Sequence, residues 1–141
     1  MKKLLLALLL LLLAASATLY FFPATQLTSL RLIEQQRAGL SHERLSVRDL
    51  NIHYYQGGPA SGETLVLLHG FAADKDNWLR FSRHLTKDYR VIALDLPGFG
   101  DSAPLPGVID ADGMLPGLAQ MLEAQFPLQA VRLVGFSFGG M

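Results

Sequence analysis

The sequence contains no cysteine, which excludes a disulfide framework, a thiolate zinc site, a catalytic cysteine and a lipid-modified cysteine anchor. It also lacks a charge excess, because twelve Lys and Arg residues balance twelve Asp and Glu residues and the formal net charge is zero. No basic cluster follows Lys2 and Lys3. Nucleic-acid-binding proteins carry a basic excess or stripe, so no nucleic-acid partner is expected.

The first 22 residues are strongly apolar and predict either a membrane anchor or a cleaved signal peptide. The stretch from Leu4 to Phe22 would form roughly 28 Å of helix, close to the ~30 Å of a bilayer core. Aromatic residues at its far end and Pro23 after it are typical of a single-pass anchor. A cleavage site at Ala15-Ser16-Ala17 would instead release a secreted or periplasmic protein. With Lys2 and Lys3 on the cytoplasmic side, the rest of the anchored chain would lie across the membrane.

Residues 23–44 are predicted to form a stalk. Leu27, Leu30 and Ile33 fall at helical spacing with polar residues between them. The short amphipathic helix that they indicate lies either near the membrane surface or against the folded domain.

Residues 45–141 alternate predicted strands and helices. The predicted elements are a hairpin of Leu45–Arg48 and Ile52–Tyr55 with its turn at Asp49–Asn51, a strand Thr64–Leu68, a helix Trp78–Leu85, a strand Val91–Leu94, a helix Met114–Phe126 and a strand Val131–Val134. Thr64–Leu68 is a continuous apolar run, typical of a strand buried on both faces, and Val91–Leu94 and Val131–Val134 are predicted as a second and a third buried strand. Strands and helices in alternation predict an α/β fold, with a mostly parallel sheet and helices on both faces.

The pentapeptide Gly135-Phe136-Ser137-Phe138-Gly139 is a G-x-S-x-G motif directly after a predicted strand, and Gly140 follows it. Such a serine sits on a sharp strand-to-helix turn, and flanking glycines remove the Cβ atoms that would collide there. The turn also directs the backbone N–H of Phe138 toward the oxygen of an attacked carbonyl. The motif therefore predicts Ser137 as a nucleophile.

Two further segments follow the ends of predicted strands. His69-Gly70-Phe71 can present the Phe71 N–H as a second oxyanion donor, with His69 interpreted as a structural residue that fixes the loop. Asp95 opens the segment DLPGFGDS and is predicted to accept hydrogen bonds from that loop's N–H groups. The other histidines, His42, His53 and His84, are interpreted as surface residues.

The chain resembles the α/β-hydrolase superfamily in three segments that occur in this order, HGFAADKDNW, DLPGFGDS and GFSFGG. Within that superfamily it resembles the esterase/lipase branch, in particular monoacylglycerol-lipase-like membrane-associated members and bacterial lipases. The resemblance covers about residues 45–141. It implies Ser137 as the nucleophile, an oxyanion hole from the N–H groups of Phe71 and Phe138, and no metal or cofactor. It implies hydrolysis of carboxylic esters, with lipid-like acyl esters as substrates. Phe71, Phe136 and Phe138 around the nucleophile would suit an apolar acyl chain.

The resemblance also places the catalytic acid and the general-base histidine downstream of the nucleophile. The chain is therefore expected to be the N-terminal half of a longer catalytic domain, and by itself neither to fold stably nor to cleave esters. Other serine-dependent branches of the fold, namely peptidases, thioesterases and C–C bond hydrolases, stay open. So does a membrane-tethered binding module that keeps the scaffold without the catalytic triad.

Overall fold

The computed structural model describes residues 2–47, 50–104, 119, 122, 123 and 130–140. The chain divides into two compact units, Met1–Ile33 and Glu34–Met141. Most of the predicted helix Met114–Phe126 lies outside the described residues, although its described residues 119, 122 and 123 are helical.

The first unit is helical. Helix α1 spans Lys2–Phe21, and its described side chains are all exposed. It is long and apolar enough to cross a membrane, a criterion that an N-terminal signal sequence also meets. Helix α2, Pro23–Arg37, begins at the proline. Pro23 suits the first position of α2 because the N–H that it lacks would have no partner within that helix. As predicted, α1 ends before this proline.

Among its described residues, the second unit is built on a five-stranded sheet. Its strands are β1 Leu40–Val47, β2 Leu50–Gly57, β3 Thr64–Leu68, β4 Arg90–Leu94 and β5 Val131–Gly135, in the spatial order β1-β2-β4-β3-β5. β3 pairs in parallel with β4 and β5, whereas β1–β2 and β2–β4 are antiparallel. Among the described strands the sheet is mixed, because the N-terminal hairpin contributes two antiparallel pairings beside the parallel ones.

That hairpin begins earlier than the sequence pattern predicts. β1 starts at Leu40, inside the predicted stalk, and Val47 pairs with Leu50, so Asn51 lies within β2 and not in the turn. The early start has a packing cause, since Ala38 and Leu40 are buried in the core. Gly39 lies between them in the left-handed conformation (φ 61°), which ends α2 and redirects the chain into β1.

Both faces of the sheet are covered along β3 and β4, as predicted. Alternate residues Val66 and Leu68 belong to one apolar cluster, and Leu65 and Leu67 belong to the other. The second cluster is covered by a 3₁₀ turn at Lys75–Trp78 and by helix α3, Leu79–Leu85. β5 departs from the prediction of a buried strand: Leu133 is 55% exposed, because β5 is the outermost strand of the described sheet.

Candidate active site

Two neighbouring parallel strands end at the same level of the sheet. Leu68, the last residue of β3, pairs with Gly135, the last residue of β5. The ladder extends one step further, because the Phe136 N–H donates to the Leu68 carbonyl at 3.1 Å. The segments after these strands, His69–Phe71 and Phe136–Phe138, therefore leave the carboxyl edge of the sheet side by side.

Ser137 occupies a sharp turn between β5 and a short 3₁₀ helix, Ser137–Gly140. Its φ of 53° places it in the left-handed region, where a residue with a Cβ is strained by about 1–2 kcal/mol. The Gly139 N–H donates to the Phe136 carbonyl at 3.1 Å and closes the turn. This is the backbone conformation that the G-x-S-x-G motif predicts for residue 137.

The glycines on either side of Ser137 differ in how strictly the turn requires them. A Cβ on Gly135 would overlap the Gly139 carbonyl, and one on Gly139 would lie 2.5 Å from the Leu68 and His69 carbonyl oxygens. At Gly140 the nearest atom would be the Gly135 carbonyl oxygen at 3.3 Å, a tight but adjustable contact. The turn thus excludes side chains at Gly135 and Gly139, whereas Gly140 is less constrained.

The His69–Phe71 loop lies directly against Ser137. A Cβ on Gly70 would be 3.4 Å from the Ser137 Cβ. The loop turns tightly after Gly70, with Ala72 at a φ of 57° and the Ala73 N–H donating to the Gly70 carbonyl at 3.3 Å. Among the described residues, nothing accepts a hydrogen bond from the Phe71 N–H, which leaves this donor available beside Ser137.

His69 is a structural link between the loops that follow β3 and β4. Its side chain is buried, and its Nε2 accepts the Leu96 N–H at 3.0 Å. Nδ1 then carries the proton and donates to the Gly70 carbonyl at 2.7 Å. Both ring nitrogens are occupied, which supports the structural interpretation of His69 made from the sequence.

Asp95 anchors the loop after β4 through a buried ion pair that the sequence pattern does not reveal. Its carboxylate is fully buried and accepts the Asp101 N–H at 2.9 Å, the Lys75 N–H at 2.7 Å and the Lys75 ammonium at 2.7 Å. Gly100 is required at φ 54°, because a Cβ there would overlap the Asp95 carboxylate. The prediction that Asp95 accepts N–H groups of its own loop therefore agrees with the geometry.

Lys75 joins the two carboxylates of this network, because its ammonium also donates to Asp101 at 2.7 Å. Burial alone would lower the pKa of Lys75, but its hydrogen bonds to Asp101 and Asp95 raise the pKa above its ordinary value. The hydrogen bond from Lys75 in turn lowers the pKa of Asp101. Sequence reasoning missed Lys75, since a lysine in a polar loop resembles any solvated residue until its partners are known.

An aromatic cluster lies beside the Ser137 turn, and its membership differs from the sequence prediction. The Phe71 ring centroid is 5.8 Å from that of Phe99 and 6.3 Å from that of Phe138. Phe136, expected to belong with Phe71 and Phe138, is 68% exposed and instead lines a cavity with His69, Gly70, Asn77 and Trp78. Phe99 takes its place because the loops after β3 and β4 end at the same sheet edge.

Comparison with known proteins places these features in a family context. The sequence profile of the alpha/beta hydrolase fold family matches residues 63–141. The crystal structure of a membrane phospholipase A, described as a bacterial virulence factor, is 48% identical with a TM-score of 0.78. The match covers 99% of this chain and 45% of that one.

Two curated relatives are more distant. Lipase 1 of Psychrobacter immobilis is 35% identical over 88 residues, which are 62% of this chain and 27% of the lipase. The dihydrolipoyllysine-residue acetyltransferase component of the acetoin cleaving system of Cupriavidus necator is 34% identical over 107 residues, 75% of this chain and 28% of that protein. The chain therefore spans less than half the length of the proteins that it matches.

Proposed function

This chain belongs to the α/β-hydrolase fold family, and from that premise we propose that its full-length protein is a serine hydrolase that cleaves lipid-like carboxylic esters. Its similarity to a lipase and to a membrane phospholipase supports ester hydrolysis in general. The observation that carries the serine mechanism is the strained turn at Ser137 (φ 53°), set against the His69–Phe71 loop.

In the proposed mechanism the Ser137 hydroxyl attacks the ester carbonyl carbon, and a histidine supplied by the remainder of the protein accepts its proton. The carbonyl oxygen becomes an oxyanion that receives hydrogen bonds from the Phe71 and Phe138 N–H groups. Each such donor is worth about 3–4 kcal/mol in the transition state. The alcohol leaves with a proton from the histidine, and water then hydrolyses the acyl-enzyme to regenerate Ser137.

We further propose that Phe71, Phe99 and Phe138 bind the acyl chain. Phe71 is 73% exposed although it is large and apolar, so its ring is available to a ligand beside the Ser137 turn. Each buried methylene contributes about 0.8 kcal/mol. We therefore expect kcat/KM to rise about fourfold per methylene until the cluster is filled.

Helix α1 supports a lipid substrate, because an apolar N-terminal helix would hold the enzyme at its substrate's surface. In the anchored form the catalytic domain lies on the side of the membrane opposite Lys2 and Lys3. In the alternative form the segment is a cleaved signal, and the enzyme is secreted or periplasmic.

The proposal is tested by measuring kcat/KM of the full-length protein on p-nitrophenyl esters of increasing acyl length. We expect Ser137→Ala to reduce turnover by at least about a thousandfold, and Ser61→Ala, in an exposed loop, to leave it unchanged. Phe99→Ala should flatten the chain-length dependence, whereas Phe136→Ala should not. Equal turnover by wild type and Ser137→Ala would contradict the serine mechanism.

A non-catalytic binding module is the competing function. The features that oppose it are the strained serine and the excluded side chains at Gly135 and Gly139, which a mere scaffold does not need. A wild-type protein that binds acyl esters without turning them over would favour the binding module.

A further inference from the structure

A cluster of three side chains lies apart from the Ser137 turn and takes no part in the proposed chemistry. His42 of β1 and His53 of β2 face each other, with His42 Nε2 3.2 Å from His53 Nδ1. Asp101, in the loop after β4, places a carboxylate oxygen 4.0 Å from His42 Nε2. One donor atom from each residue lies within 4.8 Å of the other two. In the sheet, β4 and β3 separate these strands from β5.

We infer that His42, His53 and Asp101 form a binding site for a divalent transition-metal ion such as Zn²⁺. Two imidazoles and a carboxylate are ligands that Zn²⁺ accepts, with water completing a tetrahedron. Two nitrogens at 2.0–2.1 Å from a tetrahedral ion are about 3.3 Å apart, and the observed nitrogen pair already has nearly this separation. The Asp101 carboxylate is 59% exposed, and its oxygen, 4.0 Å from His42 Nε2, must move about 0.7 Å closer to reach the same separation.

Neighbouring side chains hold the proposed metal ligands in place, as hydrogen-bonding groups around metal sites commonly do. The carboxylate of Asp101 accepts a hydrogen bond from the buried Lys75, whose position is fixed by Asp95. The Tyr55 ring packs edge-on against the His42 ring, with centroids 5.4 Å apart. This network contains one ammonium, that of Lys75, and the two carboxylates of Asp95 and Asp101. The net charge of the network is therefore negative and favours a bound cation.

The backbone reinforces the same arrangement. The His53 N–H donates to the Ser102 hydroxyl at 2.9 Å, and the His53 carbonyl accepts the Asp95 N–H at 2.9 Å. β2 is thereby fastened to the loop that carries Asp101. A bound ion would add a further connection between the β1–β2 hairpin and this loop, so the site stabilises the fold and supplies no catalytic group.

The test uses Zn²⁺ as the probe on full-length protein without a histidine tag, stripped with a chelator and titrated in competition with a chromophoric chelator. We expect one tight equivalent in wild type and at least about tenfold weaker binding in His42→Gln, His53→Gln and Asp101→Asn. His84→Gln, an exposed histidine of α3, is the matched control and should bind as wild type does. Co²⁺ should show the visible absorption of nitrogen and oxygen ligation in wild type and His84→Gln.

Thermal unfolding separates loss of ligands from loss of fold. Zn²⁺ should raise the unfolding temperature of wild type and of His84→Gln, and of none of the three ligand variants. In excess chelator His42→Gln and His53→Gln should unfold at the temperature of the metal-free wild type. Two results would overturn the site: Zn²⁺ binding that is as tight in His42→Gln and His53→Gln as in wild type, or no Zn²⁺ binding by wild type. Either result would leave only a hydrogen bond between the His42 and His53 imidazoles.

Discussion

Replacement of Lys75 by methionine tests the network that positions the loop after β4. Lys75 is 3% exposed, and its ammonium donates to Asp95, which is fully buried, and to Asp101. In Lys75→Met the Asp95 carboxylate keeps two backbone N–H donors but loses its counter-charge. Removing one partner of a buried ion pair costs about 3–5 kcal/mol.

Most of that loss should come from Asp95. The bond to Asp101 contributes little to the total, because a carboxylate that is 59% exposed is well hydrated once the lysine is gone. We therefore expect the free energy of unfolding to fall by about 3–5 kcal/mol in Lys75→Met. Lys87→Met, at an exposed lysine after α3, should change it by less than about 0.5 kcal/mol.

The assay is urea unfolding of the full-length protein in detergent, followed by circular dichroism. The double variant Lys75→Met/Asp95→Asn adds a second comparison, since removing both charges leaves no uncompensated ion. The loss of unfolding free energy in the double variant should be about 1–3 kcal/mol smaller than the sum of the losses in the two single variants. A Lys75→Met variant as stable as Lys87→Met, or strictly additive losses, would refute the argument that a buried charge pair fixes this loop.

Three further predictions concern the Ser137 turn and the ion pair. In urea unfolding, Gly135→Ala should lower the free energy of unfolding by at least about 1–3 kcal/mol, because the added Cβ would overlap the Gly139 carbonyl. Gly140→Ala should lower it by less than about 1 kcal/mol, and equal losses in the two variants would contradict the turn geometry. Ser137→Gly should be about 0.5–1 kcal/mol more stable than Ser137→Ala, because the strain energy that glycine relieves at a positive φ exceeds the entropy cost of glycine. A glycine variant less stable than the alanine variant would contradict a strained backbone at residue 137. The Lys75 hydrogen bond holds the pKa of Asp101 below 3.8, so its stabilisation is complete above pH 3.8 and disappears as the pH falls through the lower folded-state value. The difference in stability between wild type and Asp101→Asn should therefore disappear only below pH 3.8, and its disappearance at higher pH would contradict the lowered pKa.

The Ser137 turn and the central strands could be predicted from the sequence because their signals are local. β3 matches its predicted bounds, Thr64–Leu68, since a continuous apolar run identifies a strand buried on both faces. The left-handed conformation at Ser137 agrees with the motif, because the sharp turn needs positions 135 and 139 to be free of side chains and both are glycine. Family membership reinforces both features.

The features that were missed depend on residues distant in sequence. Lys75 and Asp95 are separated by 20 positions, and no local pattern indicates that a loop lysine will be buried against a strand-end carboxylate. Phe99 joins Phe71 only because β4 and β3 are neighbours in the sheet. His42 and His53 meet through the β1–β2 register, which a predicted hairpin starting at residue 45 could not provide.

The most direct test of the central claim is the site of covalent labelling by a fluorophosphonate. The full-length protein is treated with the reagent, and its intact mass and peptide map are recorded alongside those of Ser137→Ala. We predict one adduct per molecule, located on Ser137 and absent from the variant, together with loss of ester turnover at the same rate as labelling. Labelling of another residue, or complete labelling of Ser137 with ester turnover intact, would contradict the assignment of Ser137 as the nucleophile of an ester hydrolase.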